Sequence, residues 1–180
     1  VTVFGIFGVS MTSEANRAYV METVNNMTGN NTETEVDNND VVISASTEEE
    51  ANENIATSLH IEMPHFYYWT YGMEYEDYIV DENAQTAIIQ YRNGKSIFCF
   101  TIISNIQNAS FFITSDSGEE IKNIKSQFMG EINSTLLKVM EEDDEQPTYI
   151  LQWEYKNVYY ELSGKILETE MEDIAENIIY

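Results

Sequence analysis

The sequence predicts an α+β domain: an antiparallel meander of about seven or eight strands, with helices at the N- and C-terminal ends packing on one face. Three observations carry that expectation. Helical spacing of apolar residues occurs near both ends of the chain. From Phe66 onward, aromatic and β-branched runs alternate with turn residues. An Asn93-Gly94 pair sits between two such runs and supplies the positive φ angles that a tight hairpin requires.

The elements follow in order. Residues 1–10 are uncharged and too short to span a bilayer, so they read either as the cut end of a membrane anchor or as a buried edge strand. Residues 14–27, after Thr12 or Ser13 as cap, place Ala15, Ala18, Met21 and Val24 at spacing three, which predicts an amphipathic helix. Residues 28–40 are polar and acidic and read as a linker, so residues 11–40 form a helix and linker ahead of a single domain at 41–180. Residues 41–45 predict a short strand. Ser46 and Glu49 have capping-box spacing, and Ala51, Ile55 and Leu59 continue a helix that Pro64 stops from running far.

Strands are expected at 75–80, 84–91, 96–103, 109–114, 121–128, 132–140, 148–154 and 158–162. Turns fall at Arg92-Asn93-Gly94-Lys95, at Asp116-Ser117-Gly118 and near Tyr155-Lys156-Asn157, with an acidic loop at 141–146. The chain closes with a helix at 168–179 whose apolar face is Met171, Ile174, Ala175 and Ile178.

Composition narrows the function. With 180 residues, 43% of them apolar, the chain can bury a core, which excludes a disordered protein. Its 32 acidic residues against 8 basic ones give a formal charge of −24. Such a surface repels phosphate backbones and anionic bilayers, so nucleic acid is not an expected partner. The charge is uneven: residues 1–91 hold Arg17 alone against 16 acids, whereas residues 92–180 hold seven cations against 16.

Chemistry-bearing constellations are few. His60 and His65 stand five apart across a proline and lack the one-face helical spacing of zinc enzymes, so no metal is expected there. Cys99 lies in an apolar run that buries it and suppresses its thiolate. No Gly-x-Ser-x-Gly elbow occurs. The acidic stretches at 37–40, 116–120 and 141–145 do not follow the twelve-residue calcium loop and read as solvated loops. No catalytic, cofactor-binding or metal-ligating residue is therefore assigned. The most unusual local composition is aromatic. Phe66, Tyr67, Tyr68, Trp69 and Tyr71, read as part of a strand, place rings on both faces of the sheet, and those left uncovered form the candidate binding surface. Trp153 reads as core.

Trp153, Tyr160, Leu162, Gly164, Ile174 and Ala175, in the order Trp strand, turn, Tyr-x-Leu-x-Gly strand and acidic helix, resemble the ending of the domain-of-unknown-function 4367 family. Ser13-Glu14-Ala15-Asn16-Arg17, after an apolar segment, resembles the start of its membrane-anchored members. The resemblance implies an extracytoplasmic domain of a Gram-positive membrane protein, tethered through an N-terminal anchor absent from this chain. It also implies a curved sheet, because some relatives are grouped with LolA-like lipoprotein carriers and sigma-factor regulators, whose antiparallel half-barrel holds helices in its concave side. It supplies no catalytic motif.

The expected function is a noncatalytic, sensory or regulatory domain that binds an unknown protein or a small apolar ligand. A lipid or lipoprotein carrier with an apolar cavity is the alternative, and an acidic hydrolase ranks last. No cofactor is expected.

Overall fold

The computed structural model describes residues 41–43, by backbone alone, together with 47–104, 119–140 and 145–180. The expected helix at 14–27, the strand at 109–114, the turn at 116–118 and the first ten residues lie outside the described residues.

Strand β1 (Val41–Ile43) precedes helix α1 (Glu48–Leu59). The helix is capped by Thr47, one residue later than the Ser46 spacing suggests: Thr47 Oγ1 accepts from the Glu50 amide at 3.2 Å. It ends at His60, which takes a left-handed conformation (φ 54°), so the chain turns four residues before Pro64 could stop it. Ala51, Ile55 and Leu59 are its buried stripe, as their spacing of four requires.

A two-residue strand β2 (His65–Phe66) is followed by the long strands β3 (Glu74–Asp81), β4 (Thr86–Asn93) and β5 (Ser96–Ile103). Then come β6 (Glu119–Lys125), β7 (Asn133–Val139), β8 (Thr148–Tyr155) and β9 (Val158–Gly164), helix α2 (Glu168–Glu176) and β10 (Ile178–Ile179). The expected closing helix therefore stops at Glu176. Asn177 caps it, and Ile178 and Ile179 pair with Phe66 and His65 instead of continuing the helix.

Eight strands form one antiparallel sheet in the order β1-β3-β4-β5-β9-β8-β7-β6. Two meanders, β3 to β5 and β6 to β9, meet at a seam between β5 and β9, with Phe98 opposite Gly164 and Phe100 opposite Leu162. The seam is central because both strands are covered on both faces; every residue of β9 is buried. Hairpin geometry follows turn chemistry. Lys156 and Asn157 both have positive φ (48° and 63°), the mark of a type I′ turn. At the other hairpin Asn93 pairs with Ser96, so the loop is Gly94-Lys95, one residue later than read from sequence, with the positive φ on Gly94.

Both helices lie on the same face. There, Tyr78, Ile89, Phe98, Phe100, Ile102, Leu136, Leu151, Trp153, Tyr160 and Leu162 meet Ala51, Ile55, Leu59, Met171, Ile174 and Ala175 in one cluster. Each large apolar side chain fully withdrawn from water contributes about 1.5–3 kcal/mol, so this layer is the main source of stability. Trp153 stacks on Phe100 and Tyr160 at 5.9 and 5.3 Å and donates from its indole to the Tyr180 hydroxyl at 3.1 Å, as a core residue. The α2 end is locked by Ser126, whose hydroxyl donates to the Ile178 carbonyl at 2.7 Å and accepts from the amides of Phe128 and Met129.

Candidate functional site

A cleft of about 610 Å³ opens on the helix-bearing face. One wall is the first turn and a half of α1, which presents Glu48, Glu49, Asn52 and Glu53. The facing wall is the segment after α1, with Pro64, His65, Phe66 and Trp69. Tyr91 of β4 and Phe100 of β5 form the floor. Helical periodicity explains the acidic wall, because positions i, i+1, i+4 and i+5 share one side of a helix. Strand alternation explains the floor, because Tyr91 and Phe100 project from the same face of adjacent strands.

The rings form a connected set. Phe66 stacks on Trp69 at 4.8 Å, Trp69 meets Tyr91 edge-on at 5.0 Å, and Phe66 meets Phe100 edge-on at 5.4 Å. Such pairs fix ring orientation beyond simple area burial. The buried Tyr91 hydroxyl donates to Glu48 Oε1 at 2.8 Å, which ties the acidic wall to the floor. Burial, and then the Glu48 carboxylate beside it, hold the Tyr91 hydroxyl well above the usual phenol range, so it remains a proton donor at neutral pH.

The rings of the aromatic segment are dispersed. Only Phe66 belongs to a strand; after it the chain bends and scatters the remaining rings. Phe66 and Trp69 reach the cleft. Tyr67 is 75% exposed and packs on the exposed Phe128 at 5.4 Å. Tyr68 is half-buried, and its hydroxyl is raised by burial and by the α2 carboxylates Asp173 and Glu170. Tyr71 is 99% exposed.

Of the two histidines, His65 lines the cleft, whereas His60 serves as the helix terminus. Among the described residues, no three His, Cys, Asp or Glu side chains converge as a metal site. Cys99 is buried on the face opposite the cleft. On that same face lies Glu161, 2% exposed, whose Oε2 accepts from Tyr159 at 2.8 Å and Gln152 at 3.0 Å. Burial pushes its carboxyl above the usual range despite those two donors. Sequence reading passed over both Glu161 and the acidic wall. The sequence signal for the wall is the run of glutamates that opens α1, of which Glu48 and Glu49 face the cleft, and the helix dipole alone accounts for such a run.

The sequence profile of the domain of unknown function DUF4367 matches residues 63–178, well over half of the chain. The chain belongs to the DUF4367 family. No curated protein and no solved structure matches it. The family range includes the aromatic wall and floor of the cleft, from Pro64 to Phe100, whereas the acidic wall on α1 precedes it. Among the described residues, no helix is long and apolar enough to cross a membrane.

Proposed function

We propose that this DUF4367 domain is a noncatalytic binding domain, the sensory or regulatory part of a membrane-tethered protein facing away from the cytoplasm, and that the cleft over Tyr91 and Phe100 holds its ligand. The cleft itself carries the reading. It combines a concave aromatic lining with a few convergent polar groups, the common form of a small-molecule site. The extracytoplasmic placement rests on what the family resemblance implies.

The test is ligand-induced thermal stabilisation, which reports any molecule that binds the folded state alone. The full chain and a Trp69→Ala variant are screened against amines, amino acids, sugars and fatty acids. A compound that raises the melting temperature of the parent and not of the variant supports the cleft. A compound whose effect is equal in both binds elsewhere and overturns it. An apolar adduct retained through purification, seen by native mass spectrometry and lost on organic extraction, replaces the reading with the lipid-carrier one.

A further inference from the structure

We infer that the cleft selects an organic cation, a protonated or quaternary amine borne on an apolar body; this rests on the cleft being the binding site. Charge comes first. The cleft opens at the start of α1, where the helix dipole of about half a positive charge ordinarily favours an anion. Here Glu48, Glu49 and Glu53 line the opening, and neither Lys nor Arg is among the lining residues. Three carboxylates outweigh the dipole, and the chain's overall charge of −24 further enriches cations nearby.

The lining then decides which cation. A divalent metal requires oxygen ligands that converge within about 2–2.6 Å of one point. The glutamates are not grouped in that way among the described residues, so their charge is spread along a wall. A cleft of about 610 Å³ also far exceeds a bare ion. Spread negative charge facing the half-buried rings of Trp69 and Phe66, which the buried Tyr91 and Phe100 support from behind, suits an amine whose charge lies over those two rings while its apolar part covers them. Glu48 is pre-positioned by the Tyr91 hydroxyl, so little side-chain freedom is lost when a cation arrives.

Three nearly isosteric probes separate charge from shape: 2-phenylethylammonium, 2-phenylethanol and phenylacetate, titrated into the full chain by calorimetry. The cation is expected to bind about tenfold tighter than the alcohol, with the anion weakest and the preference shrinking as salt rises. In a Glu48→Gln/Glu49→Gln/Glu53→Gln variant, checked by circular dichroism, that preference collapses while the alcohol's affinity is retained. Equal binding of all three probes, or no binding of the cation in the millimolar range, overturns cation selection. Binding that Trp69→Ala leaves untouched overturns the cleft as the site, a separate failure.

Discussion

Replacing Gly164 with alanine tests the central seam of the sheet, because two effects of opposite sign compete there. The glycine has no positive φ, so alanine fits its backbone. On chain entropy alone the change would stabilise the domain by about 0.4–1 kcal/mol. Packing opposes this. An added Cβ would lie 2.4, 2.6 and 2.8 Å from Cδ1, Cε1 and Cγ of Phe98, far inside the contact distance of about 3.5–4.0 Å. Phe98 is 0% exposed and cannot swing into solvent. Overpacking of this kind costs about 1–3 kcal/mol, and three ring atoms in conflict place it near the upper end. The net expectation is a loss of about 2 kcal/mol, or a fall in melting temperature of about 4–8 °C for a domain of this size. Thermal and urea unfolding, followed by near-ultraviolet circular dichroism, measure it. A melting temperature equal to or above that of the parent would refute the reasoning. Phe98→Leu should also cost less in the Gly164→Ala background than alone, as coupled neighbours require.

Two further outcomes are expected. Glu161 has a folded-state pKa raised by burial, so its contribution to stability is fully present below the ordinary glutamate value and is lost as pH rises through the raised one. Relative to Glu161→Gln, the parent should therefore weaken as pH rises above the ordinary glutamate range of about 4, read as diverging urea midpoints; a constant difference would exclude the effect. Ser126→Ala removes an acceptor for two amides and the donor to the Ile178 carbonyl, so a loss of about 2 kcal/mol is expected, with faster hydrogen exchange at Phe128 and Met129. A loss below about 0.5 kcal/mol would show that water replaces the serine.

The architecture was largely legible because its signals are local. Spacing of four fixes the buried stripe of α1, and strand alternation puts Trp153 and Tyr160 on the helix-bearing face. Boundaries set by distant partners were not legible. Ile178 fits the apolar face of a longer helix, yet it pairs with Phe66, more than a hundred residues away, and the helix yields to that pairing. The seam between β5 and β9 is likewise a long-range choice. Its one local trace is Gly164, which reads as a family motif in sequence and as space for the Phe98 ring in the structure. The candidate site was half legible. Aromatic composition pointed to Phe66 and Trp69, but Tyr91 and the glutamates of α1 join them only through folding.

The floor and the acidic wall of the cleft differ in how tightly they are bound to the stability of the fold. Tyr91 and Phe100 are each 1% exposed and belong to the core, so truncating either to alanine would cost about 3–5 kcal/mol and endanger the fold. Glu49 and Glu53 are exposed, and substitutions at such positions usually stay within about 0.5 kcal/mol. Glu48 is intermediate, held by Tyr91, and glutamine there keeps an acceptor for the hydroxyl. The aromatic floor is thus bound to stability, and the charge of the wall is nearly independent of it. The wall also precedes the range that the family profile matches. Under the proposed cation selection, charge preference is therefore retuned on α1 without disturbing the sheet, and the three glutamates are the positions to vary.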